Sequence, residues 1–86
     1  MNTFSLNISS PDGSLFDGDI VKISLRGAEG DLAVMAGHIP FITSVKPCDF
    51  HFELEDGTIK EGHTEGGILT VSDKAVIFLT GSVIWL

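Results

Sequence analysis

The chain has 86 residues, of which 43% are hydrophobic and 20% are charged, the composition of a packed globular domain rather than a disordered chain. Twelve acidic and 5 basic residues give a net charge of −7, which disfavours binding to nucleic acid and direct binding to anionic lipid surfaces. A single cysteine, Cys48, excludes an internal disulfide and is typical of a reducing compartment such as the cytosol. We therefore expect residues 1–86 to form one cytosolic domain.

The beginning of the chain predicts neither a signal peptide nor a membrane-spanning helix. Residues 1–10 lack a basic region, and the longest apolar runs are about five residues. We expect the mature chain to start near Met1, and any link to a membrane to run indirectly, through protein partners.

Alternating apolar and polar residues predict three strands with one buried and one wet face. In chain order their apolar positions are Phe4, Leu6 and Ile8, then Val21, Ile23 and Leu25, then Phe50, Phe52 and Leu54. Two later runs, 75–79 and 83–86, are continuously apolar. They predict strands covered on both faces, in the centre of a sheet or against a partner. No segment has a helical period.

Turn signals recur about every 8 to 12 residues, a spacing typical of a β-sandwich or β-barrel. The clearest is Asp56-Gly57, which predicts a hairpin between Leu54 and Ile59. In chain order the turn signals are Asp12-Gly13, Asp17-Gly18, Glu29-Gly30, Gly37, Asp56-Gly57, Gly66-Gly67 and Ser72-Asp73.

The sequence lacks the local motifs of common enzyme classes, such as a phosphate-binding Gly-x-x-x-x-Gly-Lys loop or a Cys-x-x-Cys pair. His38, His51 and His63 are 13 and 12 residues apart, which is unlike the short spacing of metal ligands. A cupin-like metal-binding barrel enzyme is an alternative, because His51-Phe52-Glu53 lies on a strand before a glycine turn. The second His of a His-x-His pair is absent. We interpret Cys48 as a turn or strand-edge residue, and we expect no catalytic residue, metal site or cofactor.

Two segments are suited to contacts with other proteins. Residues 29–31, Glu-Gly-Asp, predict a polar hairpin tip with glycine at the position that needs a positive φ angle. Residues 37–42 carry an unusual density of apolar groups, and Pro40 cannot donate a ladder hydrogen bond, so this stretch should start at a sheet edge. Ile39 and Phe41 would be available there to a partner.

Four blocks of the sequence resemble, in family order, the epsilon subunit of F-type ATP synthases. They are the Glu-Gly-Asp turn at 29–31, a Gly-His-x-Pro loop at 37–40, a Gly-Gly-x-Leu-x-Val strand at 66–71 and an apolar strand at 74–79. The resemblance extends from Leu6 to Leu86. Ala36 departs from it, because the family often has Pro there, as does Cys48, where Gly is common.

The resemblance implies an antiparallel β-sandwich of about eight to ten short strands. It implies a non-catalytic central-stalk subunit that links the gamma subunit to the c-ring and couples ion translocation to ATP synthesis. The candidate c-ring contacts are Glu29, Gly30 and Asp31, and the candidate gamma-subunit contacts are His38, Ile39, Pro40, Phe41 and Ile42. The implied location is the cytoplasmic face of the bacterial plasma membrane, as a peripheral part of the complex.

Many epsilon subunits carry a two-helix C-terminal domain that has no counterpart in this sequence. We therefore expect no ATP-responsive inhibitory switch. Besides the cupin-like barrel, a β-sandwich adaptor unrelated to the synthase is the other alternative.

Overall fold

The computed structural model describes residues 2–86, which form nine strands and no helix. This agrees with the prediction of eight to ten short strands. The strands are β1 (Phe4–Ser10), β2 (Gly13–Gly27), β3 (Gly30–Met35), β4 (Phe41–Val45), β5 (Cys48–Leu54), β6 (Ile59–Thr64), β7 (Gly67–Val71), β8 (Ala75–Thr80) and β9 (Val83–Trp85). In this part of the chain there is no helix long and apolar enough to cross a bilayer.

Two runs of hydrogen-bonded strands share the long strand β2 and form the two layers of the sandwich. The first half of β2 pairs with β1 and continues the run β2-β1-β8-β7-β4. The second half lies between β3 and β5 in the run β3-β2-β5-β6-β9. Across residues 2–86 every pairing is antiparallel except β1 with β8, which is parallel.

The core lies between the layers and is built by the alternation that the sequence predicted. Phe4, Leu6 and Ile8 of β1 are buried, as are Phe50 and Phe52 of β5. The rings of Phe50 and Phe78 meet edge to face, with centroids 5.9 Å apart. The other buried apolar side chains are Ile20, Ile23, Leu25, Val34, Val45, Leu69, Val71 and Val76.

The predicted alternation of β2 is wrong at Val21. Ile20 is fully buried and Val21 is half-buried, because the register with β5 shifts between Ile20 and Lys22. The extra residue of this bulge restarts the alternation, and Ile23 and Leu25 are buried as predicted.

The predicted turn at Asp17-Gly18 is also wrong, because both residues lie inside β2, where Gly18 pairs with Leu6 of β1. A Cβ atom on Gly18 would lie 3.1 Å from Cζ of Phe16. Gly18 therefore leaves space for an aromatic ring within the strand. The remaining predicted turns lie between strands, with Gly13, Gly30 and Gly67 as the first residues of the strands that follow.

The two apolar runs are not covered on both faces. β8 is central in its layer, yet Ile77 and Leu79 are 42% and 51% exposed, because its buried positions alternate with exposed ones. β9 is an edge strand on which Ile84 is 64% exposed. Trp85 is half-exposed and packs against the ring edges of Phe50 and Phe52.

Candidate functional site

The tip of the β2–β3 hairpin has the form that the sequence predicted. Gly27 pairs with Gly30, so Ala28 and Glu29 make the turn, and Gly30 has a φ angle of +123°. Arg26 donates a 3.0 Å hydrogen bond from Nε to Oδ1 of Asp31 across the hairpin. Both side chains of this ion pair are exposed, so it contributes at most about 1 kcal/mol to folding.

The loop before β4 is attached to the core through His38. Its ring lies edge-on against Phe4, with centroids 5.1 Å apart, and its Nδ1 atom is buried without a partner among residues 2–86. Ile39, by contrast, is 79% exposed. The loop therefore holds His38 inward and presents Ile39 and Pro40 to the outside.

The two residues that follow the loop point to opposite sides of β4. Phe41 pairs with the buried Val71 and so lies on the inward face, where it is partly covered. Ile42 pairs with Thr70 on the outward face and is 68% exposed. A single flat partner surface therefore cannot cover both side chains.

A groove joins the hairpin tip to β4. Its walls are residues 27–32 of the hairpin and Phe41, Ile42 and Thr43 of β4. The N–H of Ala28 lies 3.5 Å from the Thr43 hydroxyl oxygen across it. The structure thus brings the predicted c-ring contacts Glu29, Gly30 and Asp31 next to two of the predicted gamma-subunit contacts, whereas His38, Ile39 and Pro40 lie outside the groove lining.

The outward face of β4, β7, β8 and β1 forms a surface that the sequence reasoning missed, which we call the apolar face. Its exposed large side chains are Ile42, Ile68, Ile77 and Leu79. Strand register places these residues in two adjacent rows. One row is Ser44, Ile68, Leu79 and Ser9, and the other is Ile42, Thr70, Ile77 and Asn7; none of the eight is charged.

The absence of charge in these two rows contrasts with the net charge of −7 of the whole chain. Uncharged apolar side chains in adjacent rows on a sheet surface are typical of a protein interface. The sequence alone does not reveal this face, because residues 75–79 are all apolar and only their exposure shows that Ile77 and Leu79 point outward.

The other layer carries a charged cluster on its outward face. Nδ1 of His63 lies 2.7 Å from Oδ1 of Asp49, and Nε2 lies 2.6 Å from Oε2 of Glu65. The two carboxylates raise the pKa of His63 above its ordinary value, Asp49 having the larger effect. Asp49 lines a second groove together with Arg26 and Asp31.

The described residues contain no group of three or more His, Cys, Asp and Glu side chains that could hold a metal ion. His38 lies against Phe4, and both ring nitrogens of His63 contact carboxylates. Cys48 is a free, half-buried thiol at the start of β5.

Comparison with known proteins gives one family and a common fold. Residues 3–86 match the family model for the β-sandwich domain of the ATP synthase delta/epsilon chain. The chain is 40% identical over 83 residues to the sodium ion specific ATP synthase epsilon chain of Acetobacterium woodii, covering 96% of this chain and 62% of that relative. The chain thus spans less than two thirds of that relative.

Two solved structures share the fold. A chain in the mitochondrial ATP synthase of Euglena gracilis, solved as an OSCP/F1/c-ring assembly, superposes with a TM-score of 0.90 at 24% identity, covering 96% of this chain and 53% of that one. A chain in the central stalk and c-ring structure of the Tetrahymena thermophila enzyme gives 0.77 at 14% identity, with coverage of 96% and 66%.

Proposed function

The chain belongs to the ATP synthase delta/epsilon chain β-sandwich family, and we propose from this that it is a non-catalytic epsilon subunit of the synthase rotor. In this role it links the gamma subunit to the c-ring and couples ion translocation to ATP synthesis. It would lie at the cytoplasmic face of the bacterial plasma membrane and reach the membrane only through the complex. The family match does not favour the cupin-like barrel or the unrelated adaptor.

The apolar face is the proposed docking surface for the gamma subunit. The exposure of its aliphatic side chains is the observation that supports this contact most directly. Fully burying an aliphatic side chain stabilises by about 1.5 to 3 kcal/mol relative to full exposure. Ile68, Ile77 and Leu79 are already half-buried, so each would contribute about 1 kcal/mol on docking. Ile42, at the edge of the face, is more exposed.

The loop residues His38, Ile39 and Pro40 continue this proposed contact beside β4. Ile39 is the most exposed large apolar side chain among those described, and Ile42 connects it to the apolar face. His38 would act by holding the loop against Phe4, since its ring points inward. Phe41 would contribute from the groove.

The hairpin tip is the proposed contact for the c-ring. Glu29 is exposed at the turn, and Asp31 presents a carboxylate that is 83% exposed although it is bonded to Arg26. Carboxylates on a projecting tip can accept hydrogen bonds from polar or basic loops of a partner. Gly30 allows the turn by adopting the positive φ angle.

A matched pair of substitutions tests the gamma contact. Leu79→Asp places a charge on the apolar face, whereas Ile84→Asp places the same charge on an exposed apolar residue of the other layer. Burying an unpaired carboxylate costs several kcal/mol, so Leu79→Asp should weaken capture of the gamma subunit at least about tenfold. Ile84→Asp should capture gamma as the wild type does.

Three other results would count against the proposal. Equal losses of gamma capture in Leu79→Asp and Ile84→Asp would mean that the apolar face is not the contact. Normal capture by both variants would place the contact elsewhere on the chain. Failure of the wild-type chain to capture gamma would overturn the proposed function itself.

A further inference from the structure

His63 is held on the outward face of β6 with a carboxylate at each ring nitrogen. The distances of 2.7 Å to Asp49 and 2.6 Å to Glu65 are both within hydrogen-bond range. A neutral imidazole has one N–H group and can donate to only one of the two carboxylates, whereas the imidazolium ion donates to both. The observed arrangement therefore fits the protonated ring.

The surroundings of His63 favour the same state. Asp49 is its direct cross-strand partner on β5, and Ile84 on β9 opposes it from the other side without a charge. Glu61 precedes it by two residues on β6 and pairs with His51 of β5. The titratable groups around the ring are Asp49, His51, Glu61 and Glu65, of which three are acidic.

The backbone beside the cluster is fixed by separate hydrogen bonds that are buried or partly buried. The Thr64 and Thr80 hydroxyl oxygens are 2.7 Å apart, Thr80 donates to the Gly66 carbonyl at 2.8 Å, and the Gly66 N–H donates to Thr64 at 3.1 Å. These bonds hold the β6–β7 connection whether or not His63 is charged. A change at His63 is therefore confined to the side chains of the cluster.

The cluster also adjoins the hairpin tip. Asp49 lines the same groove as Arg26 and Asp31, so a carboxylate of the cluster and a carboxylate of the tip face the same partner-accessible space. Loss of the proton from His63 makes this region more negative by one charge.

We propose that His63, Asp49 and Glu65 form a proton-operated clamp. With His63 protonated, the ring holds both carboxylates; with His63 neutral, it donates to only one of them, and release of Asp49 leaves a free acceptor in the groove that Asp31 also lines. The clamp is a property of this chain by itself. Only its consequence for a partner at the hairpin tip rests on the proposed function.

NMR titration of the isotope-labelled chain tests the clamp without any partner. The ring ¹⁵N shifts of His63 should report two N–H groups at low pH, and a titration midpoint higher in the folded chain than in concentrated urea. Asp49→Asn and Glu65→Gln should each lower the midpoint. Glu61→Gln removes a nearby carboxylate that is not bonded to the ring, and it should lower the midpoint less.

The carboxyl ¹³C shifts of Asp49 and Glu65 give the second measurement. At least one of them should change at the His63 midpoint in the wild type, and this change should disappear in His63→Gln. The clamp is overturned by a midpoint no higher than in urea, by a Glu61→Gln effect as large as that of Glu65→Gln, or by carboxyl shifts that do not follow His63. Because gamma and the c-ring are absent, these outcomes do not bear on the proposed function.

Discussion

Gly67 is the position where a single added methyl group should disturb the sandwich most sharply. A Cβ atom there would lie 2.1 Å from the Leu79 carbonyl oxygen and 3.0 Å from Cε1 of Phe78. Neither neighbour can rotate away, because one is backbone and the other is a fully buried ring. In Gly67→Ala, β7 and β8 must therefore separate where Gly67 pairs with Thr80.

The size of this effect follows from the contacts that are lost. Overpacking a core costs about 1 to 3 kcal/mol, and one lost hydrogen bond adds about 1 kcal/mol, giving about 2 to 4 kcal/mol. A domain of this length has a free energy of unfolding of about 4 to 13 kcal/mol. With a urea dependence of about 1 kcal/mol per molar, the unfolding midpoint should fall by about 2 M or more.

Gly81→Ala provides the control, because a Cβ atom at Gly81 would meet nothing within 4 Å. Its free energy of unfolding should stay within about 0.5 kcal/mol of the wild type. Unfolding can be followed by Trp85 fluorescence and by circular dichroism, which should give coincident transitions. A Gly67→Ala midpoint within about 0.5 M of the wild type would refute the reasoning.

Three further predictions concern other parts of the molecule. Thr80→Val should cost about 1 to 3 kcal/mol, because it removes the buried hydroxyl that bonds to the Thr64 hydroxyl and to the Gly66 carbonyl, and the double variant with Thr64→Val should cost less than the sum of the two single variants in urea unfolding. Asp31→Lys should leave the urea midpoint nearly unchanged and weaken co-purification with the c-ring; unchanged association would remove the tip from the proposed contact. The Thr58 N–H donates a hydrogen bond to Asp56 and lowers the pKa of its carboxyl group below the ordinary value of 3.8. Asp56 should therefore stabilise the folded chain above pH 3.8, and this stabilisation should be lost as the pH falls through the lower folded value. Acid unfolding should show Asp56→Ala to be less stable than the wild type above pH 3.8, with the difference disappearing at lower pH.

The pH dependence of stability at His63 has the opposite sign. Its pKa is raised in the folded chain, so the stabilisation is complete below the ordinary value of 6.5 and is lost as the pH rises through the higher folded value. The difference in free energy of unfolding between the wild type and His63→Gln should shrink over that range. A difference that stays constant with pH would contradict this assignment.

Features that depend on the local sequence pattern could be predicted from the sequence. The alternation of Phe4, Leu6 and Ile8 places one face of β1 in the core, because side chains of a strand alternate between two faces. Asp56-Gly57 marked the β5–β6 hairpin correctly. The polar tip at 29–31 was also predicted, since a glycine with positive φ is a local requirement.

The charged cluster could not be predicted, because it depends on the register of that same hairpin. A two-residue turn at Asp56-Gly57 would pair Glu55 with Thr58 and hence His63 with Phe50. In the structure Leu54 accepts a hydrogen bond from the Gly57 N–H and donates one to the Thr58 carbonyl, which makes a three-residue loop. The register moves by one residue, and His63 pairs with Asp49 on the outward face.

The apolar face required knowledge of which strands are neighbours. Ile42, Ile68 and Leu79 are far apart in the sequence and become adjacent only through the β4–β7 and β7–β8 pairings. A continuous apolar run such as 75–79 fits a strand covered on both faces equally well. Exposure of Ile77 and Leu79 distinguishes the two cases.

Strand β4 borders both proposed partner surfaces. Phe41 and Ile42 line the groove that contains the hairpin tip, and Ile42 also belongs to the apolar face. Five consecutive residue pairs join β4 to β7, whereas a single pair, Gly27 with Val45, joins it to β2. The pairing of β4 with β2 is therefore the smaller of the two, and it is supplemented by the 3.5 Å contact between the Ala28 N–H and the Thr43 hydroxyl and by the covalent connection from β4 to β5 at 46–47. A Cβ atom on Gly27 would lie 2.6 Å from Cδ2 of Leu32, so the Leu32 side chain would have to shift. Gly27→Ala should consequently loosen the pairing of β2 with β4 before it unfolds the core, and faster hydrogen exchange of the Lys46 amide, which bonds to the Arg26 carbonyl, would reveal it.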